Sequence, residues 1–353
     1  MANSATRVFV GASRFAPNAP DDHRGGLYRL RADGGWDELT EGLPERPQVR
    51  ALQIHPEHPE VVFAGAQDGP YRSQDGGDTW ERLDFPGAGL PVWSFAVDPF
   101  APDTIYAGVG PAAAYRSDDA GTTWTHLEAA VMENRVDMGF PTRMICLTPD
   151  PSRPGALYAG VEVGGVMRTE DGGATWADVT GPLVRMADDD RYRSRIGSDT
   201  DIEGMCDTHA ITMTPAAPGS AFLGVRMGVF RTDDGGASWY DIEVGRTSPL
   251  TYCRDVRVSP VEPSVVYGCF SDEALGQAGS LYRSDDIGAT WRRYDRVAPV
   301  STMMRVAMSP TDPDEVWCAT RRGDVYGTRD GGETWLETRL PTGGRDVYAM
   351  ACG

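Results

Sequence analysis

The pattern Ser/Thr-x-Asp-x-Gly-x-Thr/Ser-Trp recurs six times in this chain of 353 residues. It reads SQDGGDTW at Ser73–Trp80, SDDAGTTW at Ser117–Trp124 and TEDGGATW at Thr169–Trp176. It returns as TDDGGASW at Thr232–Trp239, SDDIGATW at Ser284–Trp291 and TRDGGETW at Thr328–Trp335. A shortened copy, ADGGW, ends at Trp36. These seven tryptophans stand 44, 44, 52, 63, 52 and 44 residues apart. A period of that length belongs to solenoids and propellers.

Each unit holds four short alternating runs separated by Gly- and Pro-rich turns, the pattern of strands. Arg50–Ile54 ends at HPEHPE, and VVFAGA at Val61–Ala66 follows. A third run carries a Tyr-Arg pair before the Asp/Gly turn, and a fourth begins at the Trp. Helical periodicity is nowhere sustained. A four-stranded sheet has two apolar faces, and radial stacking of sheets buries both. The chain opens on RVFVGAS, a second-strand sequence, while DVYAMAC at Asp346–Cys352 supplies a first strand. The expected fold is therefore all-β: one seven-bladed propeller over residues 1–353, closed by the C-terminal strand inside the N-terminal blade.

The motif resembles the Asp-box, or BNR repeat, of sialidases and related propellers, and its copies span essentially the whole chain. That resemblance takes in sialidases, sortilin-type receptors, xyloglucan-cleaving glycosidases and photosystem assembly factors, so it implies the fold more than a function. It also implies that the boxes lie on the turn between third and fourth strands, away from the usual active-site face. The repeated Asp can accept from its own turn, and Gly supplies backbone freedom. Arg29, Arg72, Arg116, Arg168, Arg231 and Arg283 recur at one strand position and are expected to tie blades together.

Net charge is −19, which opposes binding to nucleic acid or anionic membranes. No lysine is present, so all 33 basic residues are arginine and Schiff-base catalysis by lysine is excluded. No apolar run of membrane-spanning length and no signal-like segment is found, and the cytoplasm is the expected compartment. The six cysteines show no ligand-like spacing, and no disulfide framework, metal or cofactor is expected. Cys206 with Cys253 is the pair to check.

The repeat breaks on one rim. Long insertions read SRFAPNAPDDHRGG at Ser13–Gly26, EAAVMENRVDMGFPT at Glu128–Thr142, and SDEALGQAG at Ser271–Gly279. The segment Thr180–Thr208 is the longest, and residues 184–208 form a lid candidate. Aligning inner strands on their terminal prolines places Arg50, Trp93, Arg143, His209, Arg254 and Met304 six residues before Pro56, Pro99, Pro149, Pro215, Pro260 and Pro310. Arg305 stands one step further on, and Arg345 or Asp346 takes the position in the closing strand. Converging guanidiniums in a concave site call for an anionic partner. Arg50, Trp93, Arg143, Arg254, Arg305 and Arg345 are thus substrate-binding candidates, against the plainer reading of a salt-bridge girdle with Asp207, Asp255 and Asp346.

His209 can move a proton near neutrality, with Asp207 close enough to tune it. A metal site using His23, His209 and lid carboxylates is conceivable but lacks ligand spacing. The sialidase resemblance implies an arginine triad for a sugar carboxylate, here Arg50, Arg143 and Arg254, and a Tyr–Glu nucleophile pair, for which Tyr252 with Glu203 or Glu133 are the available residues. The chain departs from that family in having seven blades and no Phe-Arg-Ile-Pro motif. Glu133, Asp137, Asp201 and Glu203 cannot be spaced from sequence as two-carboxylate hydrolysis requires. Two readings stand. One is a hydrolase or lyase acting on a small carboxylate-bearing, sugar-like substrate at the channel mouth, with His209, Glu203, Asp207 and Tyr252 as catalytic candidates. The other is a non-catalytic assembly propeller whose long-loop rim binds a protein.

Overall fold

The computed structural model describes residues 6–14, 24–128, 130, 132, 135–341 and 343–353. Seven four-stranded sheets form seven blades, all with antiparallel neighbours. Their innermost strands are Val347–Cys352, Ala51–Ile54, Val92–Asp98, Arg143–Pro149, Thr208–Met213, Tyr252–Val258 and Met303–Met308. In the first blade Val347–Cys352 pairs with Val8–Ala12, with Cys352 opposite Val8. The C-terminal strand therefore closes the ring, as its apolar pattern requires.

Every full repeat makes the same turn. In the second blade Ser73 Oγ donates to Asp75 at 2.7 Å, and Asp75 accepts from Thr79 N at 3.0 Å and Thr79 Oγ1 at 2.6 Å. Gly76 and Gly77 take φ of 75° and 97°, which a side chain would strain. Trp80 Nε1 then donates to the Gly77 carbonyl at 3.1 Å while its ring packs against Phe9, Leu39 and Tyr71. The same bonds hold Asp171 and Asp330 at about 2, with the hydroxyls of Thr175 and Thr334 the first cause. With its acceptors spent on its own turn, the motif aspartate is structural.

Four of the six repeated arginines bond from one blade to the next, whereas Arg283 bonds to Tyr267 and Asp285 of its own blade. Arg29, Arg72, Arg116 and Arg231 donate to the carbonyls of Gly76, Ala120, Gly172 and Ile287 in the neighbouring turns. Between blades the core is aromatic and aliphatic, as where Phe222, Phe270 and Trp291 meet Val256 and Val266.

The long insertion is folded. It contains helices Gly181–Met186 and Glu203–Cys206 and a single 3-10 turn, Asp190–Tyr192. Leu183, Tyr192 and Met205 sink into the cluster around Phe230 and Trp239. Tyr192 Oη donates to Asp241 at 3.0 Å. Packing of this kind makes the segment a buttress on the fourth and fifth blades.

Candidate functional site

A β-bulge sits at one level in six of the seven inner strands. The register skips Trp93, Ile145, His209, Arg254, Met304 and Tyr348 in turn. In the remaining blade Arg50 holds that level, its amide bonded to Gly65 O at 2.8 Å. A bulged residue leaves the alternation and is re-aimed. These seven residues form one ring at the upper end of the channel.

The ring corrects the proline alignment in one blade. Ile145, not Arg143, is the ring residue there, because the turn anchor is Pro151 rather than Pro149. Pro149 still lies within the strand, opposite Leu157. The residue before each true anchor caps its turn. His55, Asp98, Asp150, Thr214, Ser259 and Ser309 each accept from an amide two residues ahead. Asp150–Pro151 fits that series. The closing strand has no such turn, and its ring residue is Tyr348, three positions beyond Arg345. Arg345 lies half-buried ahead of the strand, and Asp346 pairs with Arg321 at 3.1 Å.

Arg143 nevertheless joins the site by stacking. The Arg50 and Arg143 guanidiniums lie 4.8 and 4.5 Å from the Trp93 ring, and Phe140 is 4.6 Å from Arg143. Tyr348 meets Trp93 edge-on at 5.7 Å, and Arg254 lies 5.7 Å from the Tyr348 ring. Glu162 pairs with Arg143 at 2.9 Å. Burial, reinforced by Arg143, pushes the Arg50 pKa down to about 10. Three buried donors, Arg50 Nε, Trp93 Nε1 and Arg254 Nε, find no acceptor in the protein. Buried donors without acceptors are rare and costly, and three in one layer mark a place built for an anion.

His209 and Asp207 do come together, but under cover: they are 2% and 4% exposed. His209 Nε2 lies 3.2 Å from Asp207, and Nδ1 lies 2.6 Å from the Cys253 carbonyl. Arg226 pairs with the same carboxylate at 3.0 Å. Burial pushes Asp207 up, yet His209, Arg226 and Arg254 outweigh it and hold the group at about 2. Burial lowers the His209 pKa, against the upward pull of Asp207. Tyr252 packs on His209 with ring centroids 5.1 Å apart, and burial raises its phenol.

Glu203 is fully buried and apart from this group in its bonding. Its carboxylate accepts from Ile196 N, Gly197 N, Ser198 N and Ser198 Oγ at 2.8–3.1 Å. Asp201 pairs with Arg195 on the same loop. Arg305 is buried below the ring, giving Nε to the Tyr348 carbonyl at 2.6 Å and Nη1 to the Arg254 carbonyl at 3.1 Å. All six cysteines are free thiols, Cys206 and Cys253 included. His23 and Glu133 lie outside the described residues. Tyr348, Glu162 and Arg226 were not legible beforehand as site residues. Only the closing-strand register could have pointed to Tyr348.

The class so defined is a seven-bladed propeller with a cationic, aromatic layer across its channel. No protein-family model matches the chain. It is 26% identical over 308 residues to a xyloglucanase of Hypocrea jecorina, an alignment taking in 78% of this chain and 30% of that protein. Its fold is that of the GH74 xyloglucanase of Xanthomonas campestris, with a TM-score of 0.61 at 20% identity over 86% of this chain and 46% of the other. It is also that of YCF48 in complex with a D1 peptide, with a TM-score of 0.53 at 15% identity over 84% of this chain and 82% of the other. The chain thus spans less than half the length of the xyloglucanases it matches.

Proposed function

We propose that this protein binds a carboxylate-bearing, sugar-like ligand at the Arg50–Trp93–Arg143–Arg254 layer and acts on it as a hydrolase. The observation that carries the reading is the set of three buried N–H donors in that layer without protein acceptors. A carboxylate supplies acceptors in the fork geometry that guanidinium matches, and the Trp93 and Tyr348 rings offer faces for the carbon skeleton of a sugar. Likeness to xyloglucanases supports the hydrolase class. In this reading Arg50 and Arg254 orient the carboxylate, and the Asp207–His209 pair is the candidate proton-holding group. Tyr252 keeps the His209 ring in place.

The test is to offer uronate-containing oligosaccharides beside their neutral counterparts. Expected are tighter binding of the uronates, release of reducing ends, and a rise in KM of about 10-fold or more in Arg50→Gln, the scale of one charged hydrogen bond. An ultraviolet-absorbing unsaturated product would instead assign elimination, with the arginines stabilising the enolate. Equal binding of neutral and charged sugars would refute the reading.

A second reading has its own support. The match takes in 82% of YCF48, and that protein carries a bound peptide. A docking role would place a peptide carboxylate on the same arginines, with no turnover. Capture of a partner that survives His209→Ala but is lost in a folded Arg50→Gln protein, with no turnover in the parent, would favour it.

A further inference from the structure

Below the ring the channel opens toward the opposite rim as a cavity of about 600 Å³, its mouth bordered by the exposed turns at Pro56, Pro260 and Pro310. Among the described residues its wall carries four arginines, Arg7, Arg50, Arg257 and Arg305, and no aspartate or glutamate. That is the reverse of the whole chain, whose 52 acidic residues outnumber 33 basic ones. Between the arginines the wall is largely aliphatic and aromatic, with Leu52, Phe95, Ile145, Leu147, Ala307 and Met350.

We propose that this channel is a second ligand site, entered from the Pro-turn rim, that takes a small organic carboxylate with an apolar body. Arg305 is the anchor. It is 8% exposed, its two named bonds go to backbone carbonyls, and no carboxylate of the described residues lies within ion-pair distance of it. Asp255, the nearest acid in its surroundings, is already engaged by Arg257 at 2.9 Å and by the Val306 amide at 3.2 Å. Burial lowers the Arg305 pKa, Arg254 and Arg257 adding to it and Asp255 opposing. Arg257 keeps 45% of its side chain exposed although it stands in the channel, so it offers free donors to an occupant. A narrow cavity whose charged side chains are all cationic, with low-dielectric walls, concentrates counter-ions. Its volume and apolar lining match those of small-molecule sites. The carboxylate goes to Arg305 and Arg257, and the apolar body lies along the aliphatic wall. The site does not depend on the hydrolase reading, although Arg50, Trp93 and Tyr348 line both.

The experiment is calorimetric titration of the full chain with octanoate, octanol, octylammonium and acetate. Octanoate binds, octanol and acetate bind at least about 10-fold more weakly, and octylammonium does not bind, since both the charge and the apolar body are read. Arg257→Gln, a water-exposed position, weakens octanoate about 10-fold, and Arg305→Gln does so more strongly. Arg246→Gln, on an exposed arginine of the other rim, has no effect. Equal binding of octanoate and octanol overturns the proposal, as does an Arg257→Gln protein that folds and binds octanoate like the parent. Uronate binding, read in the same titrations, stands or falls separately.

Discussion

Glu203 separates a catalytic carboxylate from a structural one. In the folded chain it accepts from three amides and a hydroxyl of residues 196–198. Hydrogen bonds to a charged acceptor contribute about 1.5–3 kcal/mol each. The donors freed by Glu203→Ala lie toward solvent, Ile196 being 56% exposed, and water replaces part of the loss. A net cost of about 3 kcal/mol is the expected sum. For a chain of this length that lowers Tm by roughly 4 °C. Glu203→Gln should cost less than Glu203→Ala, losing the charge assistance but not the bonds themselves. Most of the bonds converge on Oε2, so the amide oxygen can keep them while the NH2 takes the Oε1 side. Calorimetric Tm, limited proteolysis across residues 187–202 and turnover are the assays. The pH dependence follows the same bonds. Burial pushes the Glu203 pKa up, and the bonded amides and hydroxyl pull it below its ordinary value. Its contribution is therefore complete above the unfolded value of about 4.3 and lost as pH falls through the folded one. A Glu203→Gln protein that keeps its Tm but loses turnover would refute this reasoning and return Glu203 to the chemistry. So would a Glu203→Ala protein of unchanged Tm.

Other perturbations test other parts. Trp93→Ala removes the plate between Arg50 and Arg143, leaving two guanidiniums facing each other, and should weaken uronate binding by about 10-fold or more, read by titration. Both Asp207 and His209 have lowered folded values, so their stabilisation is present at neutral pH. For His209 it fades as pH falls below about 6.5, and for Asp207 below about 3.9. Tm measured from about pH 7 to pH 3 should fall in two limbs, with Asp207→Asn making the acid one shallower but not removing it, since Glu203 and the motif aspartates also titrate there. Phe222→Ala empties a fully buried interblade position and should cost about 3–5 kcal/mol in denaturant unfolding, without changing ligand affinity measured on the folded protein.

The fold was legible because each blade repeats its own local chemistry. Ser73, Asp75, Gly77, Thr79 and Trp80 satisfy one another within eight residues, and that set can be read without knowing what packs against it. The interblade arginines were legible for the same reason, since a residue kept in six of seven blades answers a need those blades share. The site obeys another logic. It is made where inner strands bulge, and a bulge displaces a side chain by one position while leaving the alternating pattern on both sides nearly intact. Alignment on the prolines found the bulge ring in five blades because distance from the turn is conserved even where strand register is not. It missed Ile145, where two prolines compete as anchor, and Tyr348, where no turn follows. Arg143, chosen for the wrong register, still reaches Trp93 because an arginine side chain is long enough to stack from two residues away. Burial is what no pattern of letters displays. His209, Asp207 and Glu203 read as reactive groups on a rim, but folding gives each its partners and closes over them. In the ring layer the donors left without acceptors are on Arg50, Trp93 and Arg254 instead. Three such donors converge on one layer of the channel, and that convergence is the strongest pointer to where an outside molecule binds.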